Sequence, residues 1–243
     1  YAAYVMRALF FNATWRTIAG LVGMLFRKPP MIDVPESIKP LLDDVTMSGV
    51  PLHVFLQQVS EECITVGRAG VFVDYPTAPA NGTMADAEAL NLRPSINIYK
   101  AEQIINWRIG RVNNRCVVTR VVLTEDHAEQ DPKDEFNEIC EIRYRVLDLV
   151  DGIYRVRIFK VNLRGTDEQI GGDVFPLMNG TPLSYIPFWF VGVDDITPSV
   201  DEPPLIDLVD VNLSHYRTTA DYEHGCHWTG LAQPWIAGYQ KED

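Results

Sequence analysis

The stretch EIRYRVLDLVDGIYRVRIFKV, residues 141–161, decides the fold class. Apolar and polar side chains alternate from Glu141 to Leu149 and again from Tyr154 to Val161, the period of half-buried strands. Between the runs stands Asp151-Gly152, a pair suited to a type I′ turn, whose two central residues both need positive φ. An antiparallel hairpin is predicted. Arg143 and Arg145 on one strand, and Arg155 and Arg157 on the other, alternate with apolar neighbours. A register that places them in phase projects all four from one face, a candidate interaction surface. Its default state is solvent exposure, and its main alternative is pairing with acidic segments of the same or an adjacent chain. DNA contact ranks third, because a neighbouring acidic loop opposes it.

Working outward, Ser95–Tyr99 and Cys116–Leu123 read as further strands, as does Val71-Phe72-Val73-Asp74-Tyr75, stopped by Pro76. Glu125–Glu138 holds seven carboxylates and one Lys133, a composition expected to stay solvated as a loop. Thr77–Leu92 also reads as a loop, as does the stretch through Gly171-Gly172, and Ile186-Pro187-Phe188 suggests an edge strand. Tyr4, Ala8, Phe11, Trp15, Ile18, Val22 and Leu25 recur at helical spacing, predicting one long core helix over about 4–28 that ends at Pro29-Pro30. Leu52, Phe55, Val59, Cys63 and Val66 predict a second helix over 51–66, with Gly67 just past its end. Asp194–Glu202 reads as an acidic linker. From Pro203 a third helix runs to about 228, with Asp207, Asp210, Ser214, Arg217, Asp221 and His224 forming a polar stripe along it. The expected class is α+β.

With 243 residues, 47% hydrophobic and 22% charged, the composition is that of a globular protein and excludes disordered and collagenous classes. The net charge of −12 offers no overall basic footprint for wrapping nucleic acid or binding anionic lipid. Residues 1–28 hold Arg7, Arg16, Arg27 and Lys28 and no acid, so the acidic excess lies in the remainder. Cys63, Cys116, Cys140 and Cys226 are scattered, which favours a reducing compartment over a disulfide framework. No signal-peptide pattern is visible. The uncharged run Thr17–Phe26 is ten residues, against roughly 20 for a bilayer-spanning helix, so no membrane association is expected.

Candidate chemistry is thin. His215, His224, Cys226 and His227 are metal-ligating types, but helical geometry turns Cys226 away from its neighbours and no second cluster completes four ligands. Gly67-Arg68-Ala69-Gly70 follows a helix and precedes a strand, the reverse of a phosphate loop, and reads as a turn. Asp43-Asp44 and Asp194-Asp195 lack calcium-loop spacing. No nucleophile elbow, HExxH or dinucleotide fingerprint occurs. The expectation is no catalytic residue, no metal and no cofactor, and hence no enzyme.

Three blocks of sequence nevertheless form a pattern. The first is Tyr4-Val5-Met6-Arg7-Ala8 through Asn12-Ala13-Thr14, continued by Arg16–Met24 and Phe26-Arg27-Lys28-Pro29. The second is Gly67-Arg68-Ala69-Gly70-Val71-Phe72-Val73-Asp74-Tyr75-Pro76. The third is Pro203-Pro204-Leu205-Ile206-Asp207-Leu208 with Asn212, His215-Tyr216-Arg217 and Ala220-Asp221-Tyr222-Glu223-His224. Together they resemble the portal proteins, or head-to-tail connectors, of tailed bacteriophages and related prophage proteins. The resemblance implies a ring, usually of twelve subunits, at one vertex of the capsid. Terminase, head–tail adaptors and capsid or scaffold proteins would be its partners, and DNA would pass through its channel without tight binding. The implied location is the virion, with assembly in the host cytoplasm. On this resemblance residues 1–193 are a wing-like α+β domain with strands over 68–193, 194–202 the linker, 203–228 a stem-like helix and 229–243 the start of a truncated clip. The stripe from Asp207 to His224 then faces a neighbouring subunit or the channel. The alternatives are a minor capsid or adaptor protein, or an enzyme with an unrecognised metal or acid site.

Overall fold

The computed structural model describes residues 4, 6, 8–76, 84–112, 114–162, 165–178, 180–230, 235, 237 and 238. The protein is α+β, as expected, with antiparallel sheets and a long C-terminal helix. Contacts divide it into two units, residues 26–203 and residues 1–25 with 204–243. The expected wing spans 1–193, whereas residues 1–25 make their contacts with the C-terminal segment.

The larger unit is layered. Helix α2 (Leu52–Val66) ends at Gly67, whose φ of 84° is the left-handed conformation foreseen for it. It covers one face of a sheet ordered β10-β1-β2, formed by β1 (Arg68–Asp74), β2 (Ser95–Lys100) and the edge strand β10 (Phe188–Gly192). Val45, Phe55, Val59, Cys63 and Ala69 fill that interface. The opposite face packs on a five-stranded antiparallel meander, β3 (Ile104–Val112), β4 (Arg115–Gln130), β5 (Glu138–Val150), β6 (Ile153–Lys160) and β7 (Glu168–Val174). Phe72, Tyr99, Phe188 and Phe190 meet Val121, Leu123, Leu147, Tyr154 and Val156 there. Each such side chain contributes roughly 1.5–3 kcal/mol by leaving water. Because β1 is covered on both faces, its sequence is a continuous apolar run rather than an alternating one.

Several expectations need correction. The turn foreseen at Gly67–Gly70 is confined to Gly67, since Arg68–Gly70 belong to β1. Strands β3 and β7 were not legible: β3 is interrupted by register shifts at Ile104/Asn106 and Arg108/Ile109, and β7 contains Gly171-Gly172. The acidic stretch Glu125–Glu138 is mostly hairpin arm, because β4 runs on to Gln130 and β5 begins at Glu138. Cross-strand backbone bonds outweigh the repulsion expected to keep it a loop. Part of the predicted loop Thr77–Leu92 forms α3 (Met84–Ala89), and a short hairpin, β8 (Leu177–Met178) and β9 (Thr181–Pro182), precedes β10.

The smaller unit pairs α1 (Ala13–Leu25) with α4 (Ile206–Gly230). The single helix expected over 4–28 is broken. Residues 8–12 are not helical, and the Asn12 side-chain oxygen accepts the Trp15 N–H at 2.9 Å. An asparagine satisfies an orphan donor of a new helix better than it continues an old one. Of α1 only Ile18 is buried, so the expected core helix exposes Trp15, Met24 and Leu25. Helix α4 starts at Ile206, three residues after the predicted Pro203, and buries Asn212 and Ala220. Asn212 Oδ1 accepts the Ala13 N–H at 3.1 Å, closing the start of α1. Most of the expected clip, 229–243, lies outside the described residues.

Candidate functional site

The hairpin register determines what the arginines do. Asp151 and Gly152 have φ of 50° and 78°, the positive pair of a type I′ turn, and Val150 opposes Ile153. Odd residues of β5 therefore oppose even residues of β6. Arg145 faces Ile158 and Arg143 faces Lys160, whereas Arg155 faces Asp148 and Arg157 faces Val146. Directly opposed residues share a face, so Arg143 and Arg145 lie on one side of the sheet and Arg155 and Arg157 on the other. The single four-arginine face is overturned.

On the outer face Asp148 is 1% exposed and is surrounded by three guanidiniums. Arg120 Nε donates to Oδ1 at 2.6 Å, and Arg155 Nη2 and Arg157 Nε donate to Oδ2 at 3.1 Å each. Arg155 also reaches Asp173 at 2.8 Å. Burial alone raises the Asp148 carboxyl, but hydrogen bonds and charge from Arg120 and Arg157 outweigh it and hold it below the usual carboxylate range.

On the inner face the ratio is reversed. Arg145 donates through Nε to Glu125 at 2.6 Å and through Nη1 to Asp74 at 3.2 Å, and the Tyr99 hydroxyl donates to Glu125. Burial pushes the Asp74 carboxyl up, and the attraction of Arg145 does not cancel it. Asp74, Tyr75, Tyr154, Met178 and Tyr185 line a cavity of about 430 Å³ beside this cluster. The Tyr154 hydroxyl is buried and, among the described residues, has no hydrogen-bond partner. Farther along the same face Arg143 and Lys160 both pair with Glu141, and their hydrogen bonds pull its carboxyl down to about 2. All four hairpin arginines are thus held by carboxylates of their own chain.

Sequence reasoning missed one grouping of metal-ligating types. His127 and Glu141 are cross-strand partners, and with Glu129 they bring ligand atoms within 4.8 Å of one another. The spacing suits a small divalent cation, but Glu141 is already held by two cationic side chains that such an ion must displace. The histidines singled out from sequence do not converge in this way. His224 Nε2 accepts the Trp228 indole N–H at 3.0 Å, and among the described residues no metal grouping includes His215, His224, Cys226 or His227. Asp44 pairs with Arg93 at 2.7 Å, and the linker carboxylates Asp195 and Asp201 accept backbone N–H groups of Thr197 and of Val193 and Asp194. Arg68 is 4% exposed, its guanidinium 4.3 Å from the Trp107 ring centre.

The α4 stripe is where the spacing put it. Asp207, Asp210, Ser214, Arg217 and Asp221 are exposed and His224 is half-buried. Asp221 accepts the Tyr4 hydroxyl at 2.8 Å, and among the described residues Arg217 makes no ion pair. The stripe's neighbour Asn212, a polar residue on the buried side, carried no signal in the helical periodicity. No described helix is long and apolar enough to cross a membrane.

A family described as a domain of unknown function, DUF4055, matches residues 204–243. That match takes in α4 and the segment after it, and none of the β-rich unit. No curated protein matches the chain.

Proposed function

We propose that the chain is a structural subunit of a phage portal ring. In this reading it forms the channel for DNA packaging and ejection at the capsid vertex and the docking site for terminase and head–tail adaptors. The observation that carries the reading is the surface of the α1–α4 unit. Met24, Leu25, Val211, Tyr222 and Trp228 are exposed in the same unit as the polar stripe of α4, a combination that fits a subunit built to be covered by others. The third resembling block, Pro203 to His224, falls inside the matched segment 204–243 except for its first residue. A channel that transports DNA must not grip it, and the four hairpin arginines are tied to their own carboxylates in a chain of net charge −12.

Electron microscopy of the full-length protein tests the reading: rings with an axial channel are expected, and a monomer at all concentrations overturns it. Within it, Arg217 is free to meet a carboxylate of an adjacent α4. Arg217→Glu should leave the subunit folded by circular dichroism while lowering ring yield in native mass spectrometry. Normal yield removes this helix face from the interface.

A further inference from the structure

Strand β4 joins two ends of opposite charge. From Ile104 to Thr124 there are four arginines and no acid. Arg120 is held by Asp148, whereas Arg108, Arg111 and Arg115 are exposed at the β3–β4 end and make no ion pair among the described residues. At the other end the β4–β5 hairpin outruns its sheet. The pairing of β3 stops at Ile104 with Leu123, and the backbone bonds on the β6 side stop at Val161 with Ile142, so residues 126–141 form a two-stranded arm. The arm carries seven carboxylates against Lys133.

The two ends also match in shape. The tip of the arm is ordered by its own acids: Asp131 Oδ1 accepts the Lys133 N–H at 2.9 Å, and Asp134 Oδ1 accepts the Phe136 N–H at 3.0 Å. That turn holds Phe136 out at 90% exposure, next to Glu135. At the arginine end lies a cavity of about 650 Å³ lined by Val112, Val117, Leu149, Tyr185 and Trp189, with Arg115 among its walls. An aromatic ring flanked by carboxylates complements an apolar cavity edged by a guanidinium.

We propose that the arm of one copy docks on the arginine end of a second copy, with Phe136 in the cavity and Glu135 or Asp134 facing Arg115. The occupant must be another molecule. The 16 residues of β4, at about 3.3 Å each, separate the two ends by roughly 50 Å. Donor and acceptor are different surfaces, so the contact is head-to-tail and either closes into a ring or grows as a filament. This deepens the ring reading and rests on it for the expectation of closure.

Sedimentation velocity and native mass spectrometry of the full chain test the contact. Phe136→Ala should weaken self-association by about tenfold or more, as expected of a buried aromatic anchor. Arg111→Glu combined with Arg115→Glu should do the same, and 0.5 M salt should weaken the wild type. Neither variant touches the buried core, so each should keep the wild-type circular dichroism spectrum. The decisive result is the mixture. Phe136→Ala keeps the acceptor and the arginine variant keeps the donor, so together they should form one-to-one pairs that do not grow. Association unaffected by either variant overturns the contact, as does an arginine variant that loses binding to a duplex DNA probe but still self-associates. Wild-type rings that survive Phe136→Ala sink the contact and leave the portal reading intact. Wild-type pairs that never close but respond to Phe136→Ala support the contact and sink the ring.

Discussion

Three guanidiniums surround one buried carboxylate on the outer face of the β5–β6 hairpin, and two carboxylates share one guanidinium on the inner face. The Asp148 side chain is 2% exposed and that of Asp74 is 35% exposed. Burial raises both carboxyls, yet Asp148 ends below its ordinary value and Asp74 above it. The number of cations per carboxylate decides the sign. The difference also divides labour: the outer cluster ties β4, β5, β6 and β7 together, whereas the inner one ties β1 to β4 and β5 with negative charge to spare.

The largest effect should follow from breaking the outer cluster. Asp148→Ala leaves three guanidiniums crowded together with no acceptor at their centre, and removal of one partner from a buried ionic cluster costs about 3–5 kcal/mol. Urea unfolding of the variant should show a loss of that size. A loss below about 1 kcal/mol would mean that the arginines find other partners and that the cluster is a surface network in energetic terms.

The turn decides which arginine lies on which side, so its failure should blur the comparison. Val at position 152 must adopt a φ near 78°, where a β-branched side chain is strained. Gly152→Val should cost about 1–3 kcal/mol by thermal melting. An unchanged melting temperature would show that the hairpin reaches its register without this turn.

Acid separates Asp148 from Asp74 by sign. Asp148 is lowered when folded, so its contribution is complete above the ordinary aspartate value near 3.9 and is lost as pH falls through the lower folded value. Glu141 behaves alike, its share fading between about 4.5 and about 2. Asp74 is raised, so its contribution is complete below the ordinary value and is lost as pH rises through the folded one. The acid limb of stability thus belongs to the lowered carboxylates, Asp148 and Glu141 together with Asp44, Asp173 and Asp195. In Asp148→Asn that limb should be shallower by up to one proton, about 1.4 kcal/mol per pH unit. An unchanged slope would place the titrating groups elsewhere.

The hairpin, α2 and α4 were legible because each rests on a local rule: alternation with Asp-Gly, helical spacing with a closing glycine, and a 3.6-residue stripe. The separation of the arginines was misread although the sequence carries it, since a two-residue turn sets odd positions against even ones and that parity alone settles the faces. The carboxylates that hold the arginines were not, because Asp74 and Glu125 come 71 and 20 residues before Arg145. Long-range pairing also hid the His127–Glu129–Glu141 grouping, which exists only because β4 continues past the predicted strand end. Strand β3 escaped notice because its register shifts break the period that marks a strand.

The smallest effect is expected at Tyr154, and its sign is informative. The side chain is 1% exposed in the core, and its hydroxyl has no partner among the described residues although Asp74 and Arg145 lie near enough to influence it. Burial, and then the negative charge of Asp74, raise its pKa, so it stays protonated and carries an unused donor. An unsatisfied buried polar group costs about 1–3 kcal/mol of desolvation that the folded state does not recover. Tyr154→Phe removes that group and leaves the ring against Leu147 and Val156. It should therefore leave stability unchanged or raise it by about 0.5–1 kcal/mol, in contrast to every substitution on the outer face. A loss of more than about 1 kcal/mol in urea unfolding would mean that the hydroxyl is hydrogen-bonded in solution, most simply by water entering from the adjoining cavity. The inner face would then carry no idle tyrosine donor, and the contrast between the two clusters would reduce to charge alone.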